Sequence, residues 1–494
     1  MSVFVMAQTI EPFLFHLFIQ RRVDKGYAPM TLWGVVKTVI AFLYFVFGSF
    51  VLTLLGFILI KLIPLSRKRM RLVYHTLISV FTRSLVYVMA NVKKQVIGAK
   101  GRFDSASVIV CNHQSFLDIL VTTMLHPRII LLTNRWVWNS PVFGGVVRLA
   151  DYYPVMEGAD QSVEQLRQRV SEGYSVLVFP EGTRSPDGRM RRFHKGAFFI
   201  AEKLNLPIQP LMLHGTGDTI RKGEFYINDA TMTLKFLPRI MPGDMSMGTT
   251  YAERAKYVGR YFRQAFEEFD RESRTPKGNR YKVIANFLYK GPVLEWYMRV
   301  KMSLEKNYEP FHALIPHNAR VLDLGCGYGF LCYMLFYLSD QRVIKGVDYD
   351  EDKVNTALHG FGRTQRLTFE AADVTTLAIE DNYDAIVIAD VLHYLTPAQQ
   401  EAVLTNACRA VKPGGKVIVR EGNKDEKERH KGTQLSELFS VKILRFNKSV
   451  HELHFMSGGA IEQIAHRLGL SVRKIDDTKF TSNVIFVVEK PTAS

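Results

Sequence analysis

The chain has 494 residues, of which 47% are hydrophobic, and a formal net charge of +17. That length exceeds what one hydrophobic core usually serves, and the apolar content excludes a disordered chain. Residues 1–100 hold 13 Lys and Arg against 2 Asp and Glu, so the charge is concentrated and indicates contact with an anionic membrane, not with nucleic acid.

The first predicted element is an uncharged run from Thr38 to Ile60, which at 23 residues is long enough to cross about 30 Å of hydrocarbon as a helix. A single span usually has basic residues in excess on one side only, whereas this run has them on both. A helical hairpin that enters and leaves from one face is therefore an alternative to a true span. We expect residues 1–74 to attach the chain to a membrane. The flanking basic residues are Arg21, Arg22, Lys25, Lys37, Lys61, Arg67, Lys68, Arg69 and Arg71.

The rest of the chain alternates short β-rich runs with helical stretches, which is typical of α/β domains. The sequence predicts a first α/β domain over 75–245, a helical extension and linker over 246–304, and a second α/β domain over 305–494. The clearest elements are strands at Ser107–Cys111, Ser175–Phe179, Ile208–Leu213 and Arg320–Leu324, a helix at Tyr251–Phe269 and a polar linker at Arg271–Arg280.

The four cysteines show no CxxC pair and no spacing typical of a disulfide framework. We expect reduced, mostly buried thiols in a cytosol-facing protein without structural zinc, and we assign no metal ligands. These cysteines are Cys111, Cys326, Cys332 and Cys408.

A first candidate site follows the predicted strand that ends at Cys111, where residues 112–118 read Asn-His-Gln-Ser-Phe-Leu-Asp. A neutral His113 with Asp118 nearby is what a hydroxyl nucleophile needs, because the imidazole takes the proton and the carboxylate fixes its tautomer. The pair Ser115-x-x-Asp118 also resembles a helix capping box, which is the structural alternative. A second polar turn, Phe179–Ser185 (FPEGTRS), offers backbone N–H groups and an Arg for holding an anion or an oxyanion.

Together, NHxSFxD and FPEGTRS resemble the motifs of the lysophosphatidate (1-acylglycerol-3-phosphate) acyltransferase family, over about residues 75–240. Two further blocks, Phe193–Ala197 and Leu206–Pro210, match as well. The resemblance implies acyl transfer from acyl-CoA or acyl carrier protein to a lipid hydroxyl, with His113 as base and Asp118 as its orienting partner. It also implies a set of acceptor-site residues: Asn112, Ser115, Glu181, Gly182, Thr183 and Arg184.

One departure from the family's pattern concerns the acceptor phosphate. The family usually has a short hydrophobic segment ending in an Arg that clamps this phosphate, and the matching stretch here, Leu149–Glu157, has no Arg at its end. Arg148 is a possible substitute, but a carboxylate at Glu157 would repel phosphate. The sequence thus favours acyl transfer more strongly than it favours lysophosphatidate as the acceptor.

A second candidate site begins at Val321–Gly329, where an apolar strand runs into a glycine-rich turn before a helical run, Phe330–Leu338. Asp323 precedes the glycines, and Asp348 and Asp373 follow at intervals of 25 residues, each after an apolar run. Acids with that spacing fall at the ends of adjacent strands, along one crevice of an open α/β sheet.

This pattern, with Asp390–Leu395 and Val411–Val419, resembles the class I S-adenosylmethionine-dependent methyltransferases, which have a Rossmann-like fold, over about residues 305–494. The resemblance implies a bound S-adenosylmethionine, with Asp348 on its ribose and Asp373 on its adenine. His393 lies near the expected methyl acceptor, but packing or capping explains it equally well. The run Lys424–Lys431 is expected to be a solvated loop. The residues implied to bind the cofactor are Asp323, Gly325, Cys326, Gly327, Gly329, Asp348, Asp373 and Asp390.

The sequence as a whole predicts a bifunctional lipid-modifying enzyme at the cytoplasmic face of a bacterial inner membrane. Its expected partners are the bilayer, a lipid acceptor and, where the donor is not acyl-CoA, acyl carrier protein. The arrangement resembles modules of bacterial fusions in pathways for aryl polyene-type lipids. Two alternatives stay open: ordinary phospholipid synthesis with a separate headgroup or quinone methyltransferase, and a non-catalytic scaffold role for one half.

Overall fold

The computed structural model describes residues 30–133, 135–154, 159–185, 188–380, 382–422, 454–476 and 483–492. The described chain divides between Glu272 and Ser273 into two compact units, each built on a mixed seven-stranded sheet. The predicted fold class, two α/β domains with a long apolar N-terminal helix, is confirmed. Three earlier assignments lie outside the described residues: the basic residues Arg21, Arg22 and Lys25, the carboxylate of Glu157, and the loop Lys424–Lys431.

The N-terminal unit begins with two long helices that pack against each other as an antiparallel pair. Helix α1 (Leu32–Phe57) continues into a π-helical turn (Ile58–Leu62), and α2 (Arg67–Val88) returns along it. Small residues allow the close approach, since a Cβ on Gly48 would lie 2.1 Å from the ring of Phe81. The uncharged run predicted over 38–60 therefore forms one arm of a helical pair.

The sheet of this unit has the strand order β1-β7-β6-β2-β5-β3-β4, in which all neighbours are parallel except β6 and β7. Its strands are β1 (Val92–Ile97), β2 (Val108–Cys111), β3 (Ile129–Thr133), β4 (Tyr153–Pro154), β5 (Ser175–Val178), β6 (Ile208–His214) and β7 (Ala230–Phe236). Its other helices are α3 (Leu117–Thr123), α4 (Arg135–Trp138), α5 (Gly144–Leu149), α6 (Ala159–Ser171), α7 (Gly196–Lys203), α8 (Thr216–Thr219) and α9 (Tyr251–Ser273). The central strands β2 and β5 are buried along their whole length and form the core.

The polar segment predicted as a linker, Arg271–Arg280, contains the division between the two units and is largely helical. Helix α9 ends at Ser273 and α10 (Pro276–Ala285) begins three residues later. The Thr275 side chain accepts from the Gly278 N–H and caps the new helix, while Pro276 occupies its first turn. Thr at the N-cap and Pro at the first position are helix-start signals, so this Pro begins a helix within the predicted linker.

The C-terminal unit has the strand order β10-β9-β8-β11-β12-β14-β13, parallel except for the last two pairings. Its strands are β8 (Arg320–Leu324), β9 (Val343–Asp348), β10 (Leu367–Ala371), β11 (Tyr383–Ala389), β12 (Val411–Gly422), β13 (Ser471–Ile475) and β14 (Asn483–Glu489). Its further helices are α11 (Pro292–Leu304), α12 (Glu309–Leu314), α13 (Phe330–Leu338), α14 (Glu351–Leu358), α15 (Pro397–Ala410) and α16 (Gly458–Arg467), with 3-10 turns at Leu288–Lys290, Lys306–Tyr308 and Leu392–Tyr394. Helices α10 to α13 contribute to one hydrophobic core of the sheet, and α15 and α16 to the other.

Two candidate active sites

The first site lies in the loop between β2 and α3. Nδ1 of His113 donates to Oδ2 of Asp118 at 2.8 Å, and the Asp118 side chain is fully buried while the His113 side chain keeps 14% of its surface exposed. The same carboxylate oxygen accepts the backbone N–H groups of Gln114 at 2.6 Å and Ser115 at 2.8 Å. Asp118 therefore caps the loop and orients the histidine at once, so the capping and catalytic interpretations are compatible. A proton on Nδ1 leaves Nε2 as the acceptor.

The second motif holds His113 from the other side. The imidazole stacks on the ring of Phe179, with centroids 4.3 Å apart and 22° between planes. Glu181 accepts the backbone N–H of His113 at 2.8 Å, and the N–H of Ser185 donates to the His113 carbonyl at 2.9 Å. Burial raises the pKa of Glu181, although its two N–H donors act against that rise. The two motifs thus form one rigid support for the imidazole.

The predicted acceptor-site residues divide into buried supports and exposed groups. Asn112 bonds through its amide to both the N–H and the carbonyl of Leu213 at 2.8 Å, and Ser115 donates to the carbonyl of Ile220 at 2.8 Å. Together with Glu181, these side chains brace the backbone. Gly182 and Thr183 are exposed and Arg184 is half-buried, so these three remain on the surface beside the motif.

Basic residues continue beyond Arg184 of the second motif, and the sequence interpretation assigned no role to those that follow it. Their loop is tied to the site, because Gln114 donates to the carbonyl of Gly188 at 3.0 Å and the Arg191 N–H donates to Glu181 at 2.8 Å. The run RMRRFHK at 189–195 is the sequence feature that could have indicated these basic residues as part of the site. We call this cluster the basic rim; its members, all exposed or half-buried, are Arg184, Arg189, Arg191, Arg192 and Lys195. Arg148, considered as a phosphate clamp, instead donates to the carbonyl of Trp138 at 2.7 Å.

The second site is built around the glycine-rich turn after β8. The N–H groups of Gly325 and Cys326 both donate to the carbonyl of Val347, at 2.7 and 2.9 Å. Gly325 has a φ of +76°, and a Cβ there would lie 2.2 Å from a methyl group of Val391. Gly327 also has a positive φ, but a Cβ on it would meet nothing within 4 Å. The turn is therefore packed at its start and open at its middle.

The predicted acids lie at or just beyond the ends of three neighbouring strands, β8, β9 and β10. Asp323 is only 2% exposed and accepts the Cys332 thiol at 3.1 Å, and burial raises its pKa to about 6. Asp348 accepts the N–H of Gly327 at 2.7 Å. Asp373 is exposed and accepts the N–H and hydroxyl of Thr375, both at 2.8 Å. The structure thus brings Asp323 and Asp348 to the glycine turn, with Asp373 further along the same edge.

Asp390, also predicted to bind the cofactor, lies in a network of charges that are buried or half-buried. Its carboxylate pairs with Arg420 and lies 3.2 Å from Nζ of Lys301. Arg420 in turn lies 2.7 Å from a carboxylate oxygen of Glu305. Burial alone would raise the pKa of Asp390, but the charges of Arg420 and Lys301 outweigh burial and hold that pKa well below its usual range. The carboxylate therefore stays ionised and serves first as an anchor for α11.

His393 forms a histidine–carboxylate pair in this unit, which the sequence did not reveal. Its Nδ1 lies 3.0 Å from both carboxylate oxygens of Glu421, and the two side chains are 3% and 1% exposed. The ring also stacks on Phe455, with centroids 5.3 Å apart. The pair lies at the ends of β11 and β12, next to Val391, which packs on Gly325. The partner Glu421 is 28 residues away, so spacing alone could not identify it.

Comparison with known proteins agrees with this geometry. A family model described as an acyltransferase matches residues 86–214, and one described as a methyltransferase domain matches residues 315–465. The chain joins an acyltransferase domain to a methyltransferase domain. Both enzyme assignments made from the motifs are confirmed.

The acyltransferase domain is similar to several 1-acyl-sn-glycerol-3-phosphate acyltransferases. The chloroplastic BAT2 protein of Brassica napus is 37% identical over 24% of this chain and 36% of its own length, and the coconut (Cocos nucifera) protein is 30% identical over 33% and 54%. The 1-acyl-sn-glycerophosphate acyltransferase PlsC from Thermotoga maritima is 25% identical over 48% of this chain and 97% of its own, with a TM-score of 0.41. The chain thus spans between a third and about half of the length of these first two relatives.

The methyltransferase domain presents groups that fit S-adenosylmethionine. The buried carboxylate of Asp323 and the carboxylate of Asp348 suit a ligand with a cationic methionine end and ribose hydroxyls. The open space beside Gly327 leaves room for a ligand against the backbone, as glycine permits. Asp323 and the glycine turn would hold the methionine end, and Asp348 the ribose.

Proposed function

We propose that this chain acylates a lipid hydroxyl at one site and methylates a lipid at the other, while attached to one face of a membrane. The observation that carries the first half is the buried Asp118 carboxylate holding Nδ1 of a partly exposed His113. A non-catalytic scaffold domain would not need a partly exposed imidazole that is oriented by a buried carboxylate. Acyl-CoA or acyl carrier protein is the proposed thioester donor.

In the proposed acyl transfer, Nε2 of His113 takes the proton of the acceptor hydroxyl as its oxygen attacks the thioester carbonyl. Asp118 stabilises the imidazolium that forms. The new C–O bond is made, the C–S bond breaks, and the leaving thiolate takes the proton back from the imidazolium. Such base catalysis contributes about 10²–10⁴-fold in rate.

The positive charge of the basic rim favours an anionic substrate at this site. Its five Arg and Lys residues lie beside the turn that bears Gly182, and Arg groups bind phosphate with charge-assisted hydrogen bonds. A 1-acylglycerol phosphate is therefore our first candidate acceptor, as the names of the similar proteins suggest. A phosphate-free acceptor, as in aryl polyene-type lipids, is the second, because no Arg ends the segment Leu149–Glu157.

The acceptor test uses the purified full chain in vesicles with acyl-CoA or acyl carrier protein as donor. Rates on 1-acylglycerol-3-phosphate and on a monoacylglycerol of the same chain length are compared. We expect the phosphorylated acceptor to react faster, and Arg191→Gln with Arg192→Gln to remove that preference. Arg167→Gln, on the exposed side of α6, is the matched control for lost charge. A faster monoacylglycerol reaction that is insensitive to these changes would favour the second candidate.

For the methyltransferase, we propose that His393 accepts the proton of the methyl acceptor and that Glu421 holds its tautomer. When bound, S-adenosylmethionine supplies a methyl group on a cationic sulfur, which a positioned nucleophile can attack. The Glu421 carboxylate keeps the proton on Nδ1, which makes Nε2 the basic atom. A hydroxyl acceptor needs such a base more than an amine does. Calorimetry of S-adenosylmethionine binding to the full chain and to Asp348→Asn tests the cofactor site, since a scaffold would bind none.

The packing of α1 supports attachment in the plane of the membrane surface. Its inner face contacts the unit along the whole helix, from Gly34 against Tyr226 to Thr53 against Gly145. Its outer face exposes large apolar side chains, among them Phe47 at 69%. Basic residues stand near both ends, including Lys37 and Lys61. A helix held along its length, with both ends at the charged level, lies in the interface and does not leave the domain to cross the bilayer.

The proposed location is the cytoplasmic face of a bacterial inner membrane. The four cysteines are free, which suits a reducing compartment, and one long apolar helix suggests membrane association. Protease protection in sealed vesicles tests the orientation: cleavage of the chain from the cytoplasmic side alone is expected. Cleavage from the opposite side would contradict it.

A further inference from the structure

We propose that the methyltransferase unit has its own membrane-contact surface, on helix α11, and that this surface fits an anionic lipid headgroup layer. The proposal rests on the exposed apolar side of that helix, on the basic charge around it and on its attachment to the edge of the cofactor site. It deepens the proposed function, because it places the second active site at the bilayer that would supply its lipid.

Helix α11 is apolar on two opposite sides, and only one of them is buried. Leu294, Met298 and Met302 pack into the core of the unit and are at most 5% exposed. Residues spaced three and four apart on another side are exposed, which is the spacing of a single helix face. These are Val293 at 59%, Trp296 at 49%, Val300 at 39% and Leu304 at 67%. We call them the α11 face.

The segment around this face is strongly basic. Residues 276–306 hold seven Lys and Arg against two Glu, a balance of +5. Lys277, Lys290, Arg299 and Lys306 are exposed. Basic residues near an anionic membrane surface are attracted to it, and Trp is favoured at the interface. An apolar face with Trp and a basic surround is the composition of an interfacial membrane helix, so charge selects an anionic lipid surface over a protein partner of mixed charge.

The C-terminal end of α11 reaches the catalytic edge of the sheet. Lys301 lies 3.2 Å from Asp390, and Glu305 lies 2.7 Å from Arg420. These partners stand at the ends of β11 and β12, one to three residues from His393 and Glu421. A lipid drawn from a bilayer under the α11 face would therefore approach the methyl-acceptor side of the unit over a short path.

The test uses the full chain on vesicles of phosphatidylcholine with about 30% phosphatidylglycerol, the basic charge being the reason for the anionic lipid. A polarity-sensitive fluorophore is placed at Val300→Cys, at Val39→Cys on α1, or at Gln463→Cys on α16, which covers the opposite face of the sheet. The unsubstituted chain gives the background from Cys326, the one half-buried native thiol. Quenching by a lipid carrying a spin label on its acyl chain is then measured.

We expect quenching at positions 39 and 300, no quenching at 463, and weaker quenching at 300 on phosphatidylcholine alone. Quenching at 39 without quenching at 300 overturns this inference and leaves the attachment through α1 standing; a second copy of the chain over the α11 face would give that result. Absence of quenching at both positions overturns both. Because Val300 is exposed, its replacement leaves the buried side of the helix intact, and S-adenosylmethionine binding by calorimetry verifies the fold.

Discussion

The two active sites differ in where the reactive group resides. In the acyltransferase domain one imidazole does the chemistry, and three residues of the two motifs hold it: Asp118 on its ring, Glu181 on its backbone and Phe179 on its face. In the methyltransferase domain the backbone of a glycine turn and two acids form a receptacle, and the reactive methyl group would arrive with the cofactor. Loss of one side chain should therefore remove most of the activity of the first site. Single substitutions at the second site should each remove a smaller part of its activity.

His113→Ala is expected to have the largest effect. Loss of the base is expected to reduce acyl transfer by about 10²–10⁴-fold, with methyl transfer and S-adenosylmethionine affinity unchanged. Asp118→Asn is expected to act in the same direction and also to destabilise the loop, because the carboxylate accepts two backbone N–H groups. Radiolabelled acyl incorporation measures the effect. Residual activity within a few-fold of wild type in His113→Ala would contradict the proposed role.

His393→Asn tests whether the methyltransferase also depends on one side chain. If His393 is the acceptor-side base, kcat for methyl transfer should fall by about 10²-fold while the KM for S-adenosylmethionine changes little. The pH profile should lose its acidic limb as well, which a purely structural histidine would not cause. Glu421 is the carboxylate that contacts this ring, so Glu421→Gln, which keeps the shape of the side chain, is the companion variant. A fall in cofactor affinity matching the fall in kcat would assign His393 to packing.

Gly325→Ala and Gly327→Ala form a matched pair within the glycine turn. Both positions have positive φ, but only at Gly325 would the added Cβ meet another atom, 2.2 Å away on Val391. We expect Gly325→Ala to weaken S-adenosylmethionine binding by about ten-fold or more and to lower stability by about 1–3 kcal/mol. Gly327→Ala should keep more of the stability. Equal stability losses would show that backbone strain, not the contact with Val391, sets the requirement for glycine.

The sequence predicted contacts between residues that are close together in the chain, but it could not predict contacts between residues that are far apart in the chain. His113 and Asp118 are five residues apart across a strand end and a helix start, and the predicted helix Phe330–Leu338 has the observed bounds. The supporting role of Glu181 depends on a bond spanning 68 residues, and Glu421 on one spanning 28. Contacts over such separations produce no periodic pattern in the sequence, so the sequence alone could not predict them.

The orientation of α1 was harder to predict for a different reason. Because nearly all of its residues are apolar, hydrophobic periodicity could not tell the packed side from the exposed one. Small residues did carry a usable signal, since Gly34, Ala41, Ser49 and Gly56 recur at intervals of seven or eight and all face inward. Close helix packing requires small side chains, so their spacing marked the face that contacts the domain.

The smallest expected effect is a pH dependence of cofactor binding that only the second site should show. Burial raises the pKa of Asp323 to about 6; the charge of Asp348 adds to this rise, while the Cys332 thiol and Arg420 oppose it. Above that pKa the carboxylate is ionised and attracts a cationic ligand, so affinity for S-adenosylmethionine should fall by about ten-fold between about pH 7.5 and pH 5.

The same group acts on stability with the opposite sign. Since the folded protein holds this proton more tightly than the unfolded chain, the ligand-free protein should gain stability from Asp323 as the pH falls from about 6 toward about 4. Asp323→Asn should bind weakly at every pH and lose both dependences, which calorimetry and thermal unfolding measure in the same samples. An affinity that stays constant down to pH 5 in the unsubstituted chain would mean that the carboxylate does not face the ligand's charge. The methionine end would then be held by the glycine turn alone.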